Sequence, residues 1–211
     1  PGAATPLGAM GHAGAAIELG QQLSQRAAGQ EARVDAIVLP VGSTCTSAGL
    51  LVGTALAQAA GYFRRGLPKI VAVRVTPWPV TAAWRVAHLA AGTAEHLARR
   101  FAEAGLVMPR FARTAADFRA RLEVIGDELG PGYGQPTVGA WAALAELSHL
   151  GLCLDTTYSA KAAAHLLKRL GRRDVGAGTL VFWATKSAVA LPATDPARLA
   201  DLPPRIHQWI R

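Results

Sequence analysis

The segment over residues 39–53 constrains the fold most, because a strand-like run ends there in a turn of small residues that opens a helix. Residues 34–39 are mostly Val, Ile and Leu, and the turn over 42–46 reads Gly-Ser-Thr-Cys-Thr. Backbone N–H groups of such a turn converge on one point, and the positive end of the helix dipole adds to them. The segment therefore predicts a phosphate site, although an ordinary strand-to-helix connection would explain the same residues equally well.

Strand and helix patterns alternate along the whole chain. Hydrophobic periodicity predicts helices over 9–28, 47–63, 82–103, 137–150 and 160–170, and strands over 34–39, 70–75, 122–125, 152–154 and 179–183. Strands separated by helices are typical of right-handed crossovers, which produce a mostly parallel sheet with helices on both faces. The more polar strand 122–125 is expected near an edge. Ligands of such sheets bind beyond the carboxyl ends of the strands.

Composition excludes several classes of protein. Half of the residues are hydrophobic and only 17% are charged, which indicates a globular α/β protein. Cys45 and Cys153 lie far apart without a Cys-x-x-Cys spacing, so neither a disulfide framework nor a metal site is predicted. No membrane segment or secretion signal is recognisable, and a cytoplasmic location is expected. The net charge of +8 is scattered rather than clustered, which argues against nucleic-acid binding.

Familiar catalytic motifs are absent from the sequence. It contains no Gly-x-x-x-x-Gly-Lys-Ser/Thr, Gly-x-Ser-x-Gly or His-Glu-x-x-His pattern. The six histidines have no partner at ligand spacing, so packed or surface roles are expected for them. Three loops remain as candidates: the turn over 42–46, a Gly-Pro-Gly-Tyr-Gly turn over 130–134, and Leu-Asp-Thr-Thr-Tyr-Ser over 154–159.

The order and spacing of these loops resemble one group of pyridoxal-phosphate enzymes. The group contains D-cysteine desulfhydrase and 1-aminocyclopropane-1-carboxylate deaminase and has the tryptophan-synthase-β-like fold. Residues 41–49 are similar to its phosphate loop, which usually reads Gly-Ser-Gly-Gly-Thr-x-Ala-Gly. Residues 130–136 are similar to its Gly-Pro-x-Tyr-Gly-x-Pro segment, and residues 154–162 are similar to its Leu-Asp-Pro-Val-Tyr-Thr-Gly-Lys-Ala segment. Residues 180–185 resemble the last core strand, and residues 1–12 resemble a glycine-rich entry into a helix.

The resemblance implies a pyridoxal 5'-phosphate site and assigns residues to it. Tyr158 and Tyr133 would be the catalytic tyrosines, one near the cofactor ring and the other over the substrate. Ser159 would lie beside the pyridine nitrogen, where a neutral hydroxyl moderates the electron sink and favours the desulfhydrase branch. The cofactor-binding residues implied are Gly42, Ser43, Thr44, Cys45, Thr46, Ser159 and Thr185.

The resemblance also implies that residues 1–211 are the C-terminal part of a large cofactor-binding domain. The family's Schiff-base lysine and smaller domain lie in an N-terminal region that has no counterpart in this sequence. Of the four lysines, Lys161 matches a family lysine that does not bind the cofactor, and Lys186 is the candidate nearest the ring. Lys69 and Lys168 suit solvated positions. The fold is therefore expected to be incomplete, and the chain alone to be inactive.

The function implied is β-elimination or deamination of a small amino acid, giving ammonia and an oxo acid. A homodimer is expected for the full-length protein. Two other interpretations stay open from the sequence. Thr44 and Cys45 stand where the family's loop has two glycines, as expected of an inactive relative that binds a metabolite. The basic composition would also suit an interaction module.

Overall fold

The computed structural model describes residues 4–25, 33–172, 178–185, 198 and 201–203. The helices are α1 (Pro6–Ser24), α2 (Cys45–Ala59), α3 (Ala83–Glu103), α4 (Ala115–Ala120), α5 (Val138–Ser148) and α6 (Ser159–Gly171). The strands are β1 (Val34–Val41), β2 (Lys69–Arg74), β3 (Leu122–Ile125) and β4 (Thr179–Phe182).

The four strands form one parallel sheet in the order β3-β2-β1-β4. Alternate residues of β1 face opposite layers: Ile37 and Leu39 belong to the large core with α1, α2 and α3, whereas Ala36 and Val38 pack with residues of α6. Burial on both faces explains why β1 is apolar almost throughout, since a strand covered on both sides has no polar face. The predicted parallel sheet between helices is confirmed, and β3 lies at an edge as its polarity indicates.

Strand β1 extends through Pro40 to Val41, two residues beyond its predicted end. Proline has no N–H and is disfavoured within a sheet. The Val38 carbonyl accepts a hydrogen bond from the Trp183 N–H, so the backbone polar groups of Val38 point toward β4. Backbone groups two residues apart in a strand point the same way, and the nitrogen of Pro40 therefore points toward β4 as well. The pairing of β4 along β1 reaches only Val38, and Pro40 therefore stands where no strand hydrogen bond is missing.

Three other local predictions differ from the structure. Helix α1 begins earlier than predicted, because the Thr5 hydroxyl accepts from the Gly8 N–H and Pro6 occupies the first turn; its predicted end lies outside the described residues. The short helix α4 was not predicted, although Thr114 and Asp117 form a capping box at its start. The strand predicted over 152–154 is wrong: those residues are an extended loop, which leads into α6.

Helices α1 and α2 are in unusually close contact through glycines of α2. A Cβ on Gly49 would overlap the backbone of Ala9, and a Cβ on Gly53 would overlap the backbone of Ala13. This close approach fixes the beginning of α2 against α1. Among the described residues, no helix combines the length and apolarity needed to cross a membrane.

Candidate functional site

A cleft of about 420 Å³ opens at the carboxyl end of the sheet. Its walls come from the end of β1, the first turn of α2, the approach to α6 and the loop after β4. The lining residues are Pro40, Val41, Gly42, Ser43, Thr44, Thr46, Ser47, Asp155, Tyr158 and Thr185. Its volume lies within the range of about 300–1,000 Å³ that small-molecule sites occupy.

One end of the cleft is formed by the N-terminus of α2. Within the helix, the first hydrogen bond joins the Ala48 N–H to the Thr44 carbonyl, so the amides of the preceding first-turn residues have no intrahelical acceptor. Ser47 is only 1% exposed, and its Oγ has no hydrogen-bond partner among the described residues. A buried hydroxyl without a partner is costly, and here it lines a cleft beside several N–H donors. The arrangement suits a bound anion.

The residue before α2 has an unusual backbone. Thr44 adopts a left-handed conformation with φ 73°, and its side chain makes no capping hydrogen bond. This region favours glycine, because the Cβ of other residues is crowded there. Thr44 therefore adopts, at a cost in strain, the backbone conformation that a glycine would take at this position.

Helix α1 contributes a histidine behind the anion end. His12 Nε2 lies 3.2 Å from Thr46 Oγ1, and burial lowers the pKa of His12 below its usual value. The sequence offered no ligand spacing for His12, so this contact was missed. The one sequence signal for this contact is Gly49: a glycine within a helix allows another helix to approach closely, and here it brings His12 of α1 next to α2.

The other end of the cleft is lined by Tyr158, which contacts Tyr133 outside the cleft. The Tyr133 and Tyr158 hydroxyl oxygens are 2.7 Å apart, and the rings meet edge to face with centroids 6.0 Å apart. The hydrogen bond with Tyr133, together with burial and the nearby Asp155, raises the pKa of Tyr158 to about 12. Tyr158 is therefore a phenol at neutral pH and can donate or relay a proton.

The start of α6 is organised by Asp155. Its carboxylate accepts from the N–H groups of Thr157, Tyr158 and Ser159 at 3.0, 2.7 and 3.1 Å, and from the Ser159 hydroxyl at 2.7 Å. Burial acts to raise the pKa of Asp155, but these hydrogen bonds outweigh it and the pKa is lowered. The network fixes the backbone of Tyr158 and places one carboxylate in the cleft wall.

The structure brings together most of the residues predicted for the site. Gly42, Ser43, Thr44, Thr46, Tyr158 and Thr185 line one cleft. Sequence reasoning missed Ser47, although it lies in the first turn of the helix it proposed as an anion site. It also missed Asp155, although the residue stands in a quoted motif.

Three predicted site residues do not line the cleft. The Cys45 side chain is buried and directed to the Thr5 carbonyl, 3.9 Å from Sγ. Ser159 is fully buried, with its hydroxyl bonded to Asp155. Tyr133 reaches the cleft only through its contact with Tyr158. Cofactor binding by Cys45 and Ser159, and a catalytic role of Tyr133 over the substrate, stay predictions.

The described lysines lie away from this cleft. Lys69 is exposed at the start of β2, Lys168 forms an ion pair with Glu128, and Lys161 is buried beneath the turn that carries Tyr133. Lys186, the lysine predicted nearest the ring, lies outside the described residues.

Comparison with known proteins agrees with the geometry. The family model described as "Pyridoxal-phosphate dependent enzyme" matches residues 1–186. The chain belongs to this family. Pyridoxal phosphate is thus the family's cofactor, and its phosphate group suits the anion end of the cleft.

Two of the relatives within this comparison are D-cysteine desulfhydrases. The chain is 28% identical over 199 residues to a D-cysteine desulfhydrase of Klebsiella pneumoniae subsp. pneumoniae, covering 92% of this chain and 51% of the relative. It is 27% identical over 197 residues to a D-cysteine desulfhydrase of Salmonella paratyphi C, with the same coverage of 92% and 51%. The chain thus spans about half the length of these curated relatives.

A solved structure described as an ACC deaminase homologue superposes with a TM-score of 0.60 at 21% identity. The match covers 86% of this chain and 46% of that structure. It confirms the tryptophan-synthase-β-like α/β fold.

Proposed function

We propose that the protein acts as a pyridoxal-phosphate enzyme on a small amino acid, releasing ammonia and an oxo acid by β-elimination or deamination. The observation that carries this proposal is the single cleft with an anion end at α2 and a phenol pair opposite. The desulfhydrase relatives and the family membership support it. A homodimer is part of the proposal for the full-length enzyme.

The anion end would hold the phosphate of the cofactor. The first-turn amides of α2 and the hydroxyls of Thr46 and Ser47 supply donors, and the helix dipole favours the negative charge. The unpartnered Ser47 Oγ would gain an acceptor, which removes the cost of its burial. When bound, pyridoxal phosphate supplies an electron sink for the α-carbon of an amino acid.

Tyr158 and Tyr133 would donate and transfer protons at the opposite end of the cleft. Because Tyr158 keeps its proton well above neutral pH, it can donate a hydrogen bond to a carboxylate or a leaving group. Tyr133 is 55% exposed and connects Tyr158 to solvent, so a proton can pass between the two hydroxyls. Gly42 lies between the two ends and allows the Tyr158 ring to approach the loop.

The covalent attachment of the cofactor requires a lysine, and none of the described lysines lines the cleft. We therefore expect that lysine to come from outside the described residues.

The test uses the complete protein loaded with pyridoxal phosphate. We expect an absorption band of bound cofactor that borohydride removes, and turnover of D-cysteine in preference to 1-aminocyclopropane-1-carboxylate, measured as sulfide, ammonia and oxo acid. Ser47→Ala should weaken cofactor binding about tenfold, because one hydrogen bond to a charged group is lost. Ser148→Ala, on the surface of α5, is the matched control and should bind as the wild type does.

A second function has one observation in its favour, the strained Thr44 at the anion end. An inactive relative would bind the cofactor but convert no amino acid. Bound cofactor without turnover of any small amino acid would select this alternative, and absence of cofactor binding would contradict both.

A further inference from the structure

The turn that carries Tyr133 is rich in glycine. Gly130, Gly132 and Gly134 all have positive φ, at 64°, 155° and 76°, and Tyr133 itself stands largely in solvent. Glycines in these regions leave the chain many conformations when nothing holds them. Within the turn, the Gln135 N–H donates to the Gly132 carbonyl at 3.3 Å, and a restraint from outside the turn would further hold the 2.7 Å contact between Tyr133 and Tyr158.

Lys161 supplies such a restraint. Its Nζ donates to the Leu129 carbonyl at 2.8 Å and lies 3.5 Å from the Gly132 carbonyl, so one ammonium spans both sides of the turn. Lys161 is on α6, one helical turn after Tyr158, and its side chain is fully buried. The N-cap and the first turn of α6 thus supply one tyrosine of the pair and the ammonium that contacts the turn of the other.

Burial of this ammonium is costly, and the surroundings offset the cost only in part. Burial lowers the pKa of Lys161, while the charge of Glu128 acts in the opposite direction. Glu128 is 1% exposed, accepts from the Thr137 hydroxyl at 2.8 Å and pairs with Lys168. Fully buried lysines are rare, and one bonded to turn carbonyls beside a candidate site indicates a positional role.

We propose that Lys161 is a positioning residue, which fixes the turn over 129–134 so that the Tyr133 hydroxyl meets that of Tyr158. Its relevance to catalysis rests on the proposed function of the tyrosine pair. The positioning itself does not, because it concerns contacts within this chain. Loss of the ammonium should leave the anion end of the cleft unchanged and separate the two tyrosines.

The direct test compares Lys161→Met with Lys168→Met. Both variants remove an ammonium from α6 near Glu128, but only Lys161 contacts the turn. In tyrosine-labelled complete protein, NMR should show a nuclear Overhauser effect between the Tyr133 and Tyr158 rings, assigned with single Tyr→Phe variants. We expect this signal to be lost in Lys161→Met and kept in Lys168→Met.

An unchanged signal in folded Lys161→Met would overturn the proposal, as would its loss in both variants. Should Lys161→Met fail to fold, Lys161→Gln serves instead: its amide keeps donors but is one bond too short to span both carbonyls, so the signal should again be lost.

Measurements of cofactor binding and turnover distinguish the positioning role of Lys161 from the proposed function. Lys161→Met should bind pyridoxal phosphate within about twofold of the wild type, while turnover falls about tenfold or more. Lys168→Met should keep both. Absence of cofactor binding in the wild type would remove the proposed function, yet the NMR comparison would still decide the role of Lys161.

Discussion

The ring of Tyr158 packs directly on the backbone of Gly42, where a Cβ would lie 3.1 Å from its Cε1 atom. This contact joins the two ends of the cleft, because Gly42 begins the turn before α2 and Tyr158 is the N-cap of α6. The absence of a side chain at Gly42 thus sets how near the phenol stands to the loop.

Gly42→Ala should impair the site more than the fold. A methyl group at 3.1 Å requires the Tyr158 ring to move by a few tenths of an ångström, which costs less than about 1 kcal/mol in overall stability. The same displacement alters the approach of Tyr158 to a substrate, so turnover should fall about tenfold. Thermal unfolding and steady-state kinetics measure the two effects.

The control for this substitution is Gly11→Ala in α1, where a Cβ meets nothing within 4 Å. Alanine should stabilise that helix by about 0.5–1 kcal/mol and leave turnover unchanged. Equal kinetic losses in the two variants would contradict the role assigned to Gly42.

Thr44→Gly should improve the anion end. The left-handed backbone of Thr44 costs about 1–2 kcal/mol for a residue with a Cβ, and glycine removes this cost while adding about 0.5–1 kcal/mol of chain entropy. We expect stability to rise by about 0–1.5 kcal/mol and pyridoxal phosphate to bind about threefold tighter. Calorimetry and cofactor titration measure these changes, and weaker cofactor binding by a folded Thr44→Gly protein would show that the Thr44 side chain itself contributes to the site.

The order of strands and helices was predictable because it depends on the hydrophobic periodicity of each segment. β-Branched runs such as 70–75 and amphipathic runs such as 82–103 carry their own signal, and the observed elements agree within a few residues. The end of β1 was not predictable, since Pro40 is tolerated only because β4 stops pairing at Val38. The end of β1 thus depends on where β4 ends, which the sequence of β1 does not encode.

The sequence indicated which loops form the cleft, but not which of their side chains line it. Gly42, Thr46 and Tyr158, which come from two separate motifs, line one cleft. The sequence could not show that Ser159 turns its hydroxyl to Asp155, because that choice depends on the competing acceptors at the start of α6. Nor could it show Lys161 beneath the turn, since the partners are separated by 32 positions in the chain.

Gly49→Ala should destabilise the whole protein. The added methyl would overlap the Ala9 carbonyl oxygen, which is backbone and cannot rotate away, so α1 must separate from α2. Overpacking of this kind costs about 1–3 kcal/mol or more. Chemical denaturation should show the loss, with Gly14→Ala, whose Cβ meets nothing within 4 Å, as the matched helix control. Comparable stability of the two variants would contradict the close packing of α1 on α2.

His12 should make stability depend on pH on the acid side of neutrality. Burial lowers its pKa in the folded state below the ordinary value of 6.5, so the unfolded chain binds the proton more readily. Above that value both states leave the ring neutral and His12 contributes no pH dependence. As pH falls from about 6.5 toward the folded pKa, the unfolded state gains protons first and stability is lost.

His12→Gln removes this titration while keeping a polar group near Thr46. The melting temperature of the wild type should therefore fall relative to that of His12→Gln between about pH 6.5 and 5, and the difference should be constant above about pH 7.5. A wild type that gains stability relative to the variant on acidification would mean that the folded pKa is raised. The histidine would then be stabilised as a cation beside the anion end, and the neutral ring inferred from its burial would be wrong.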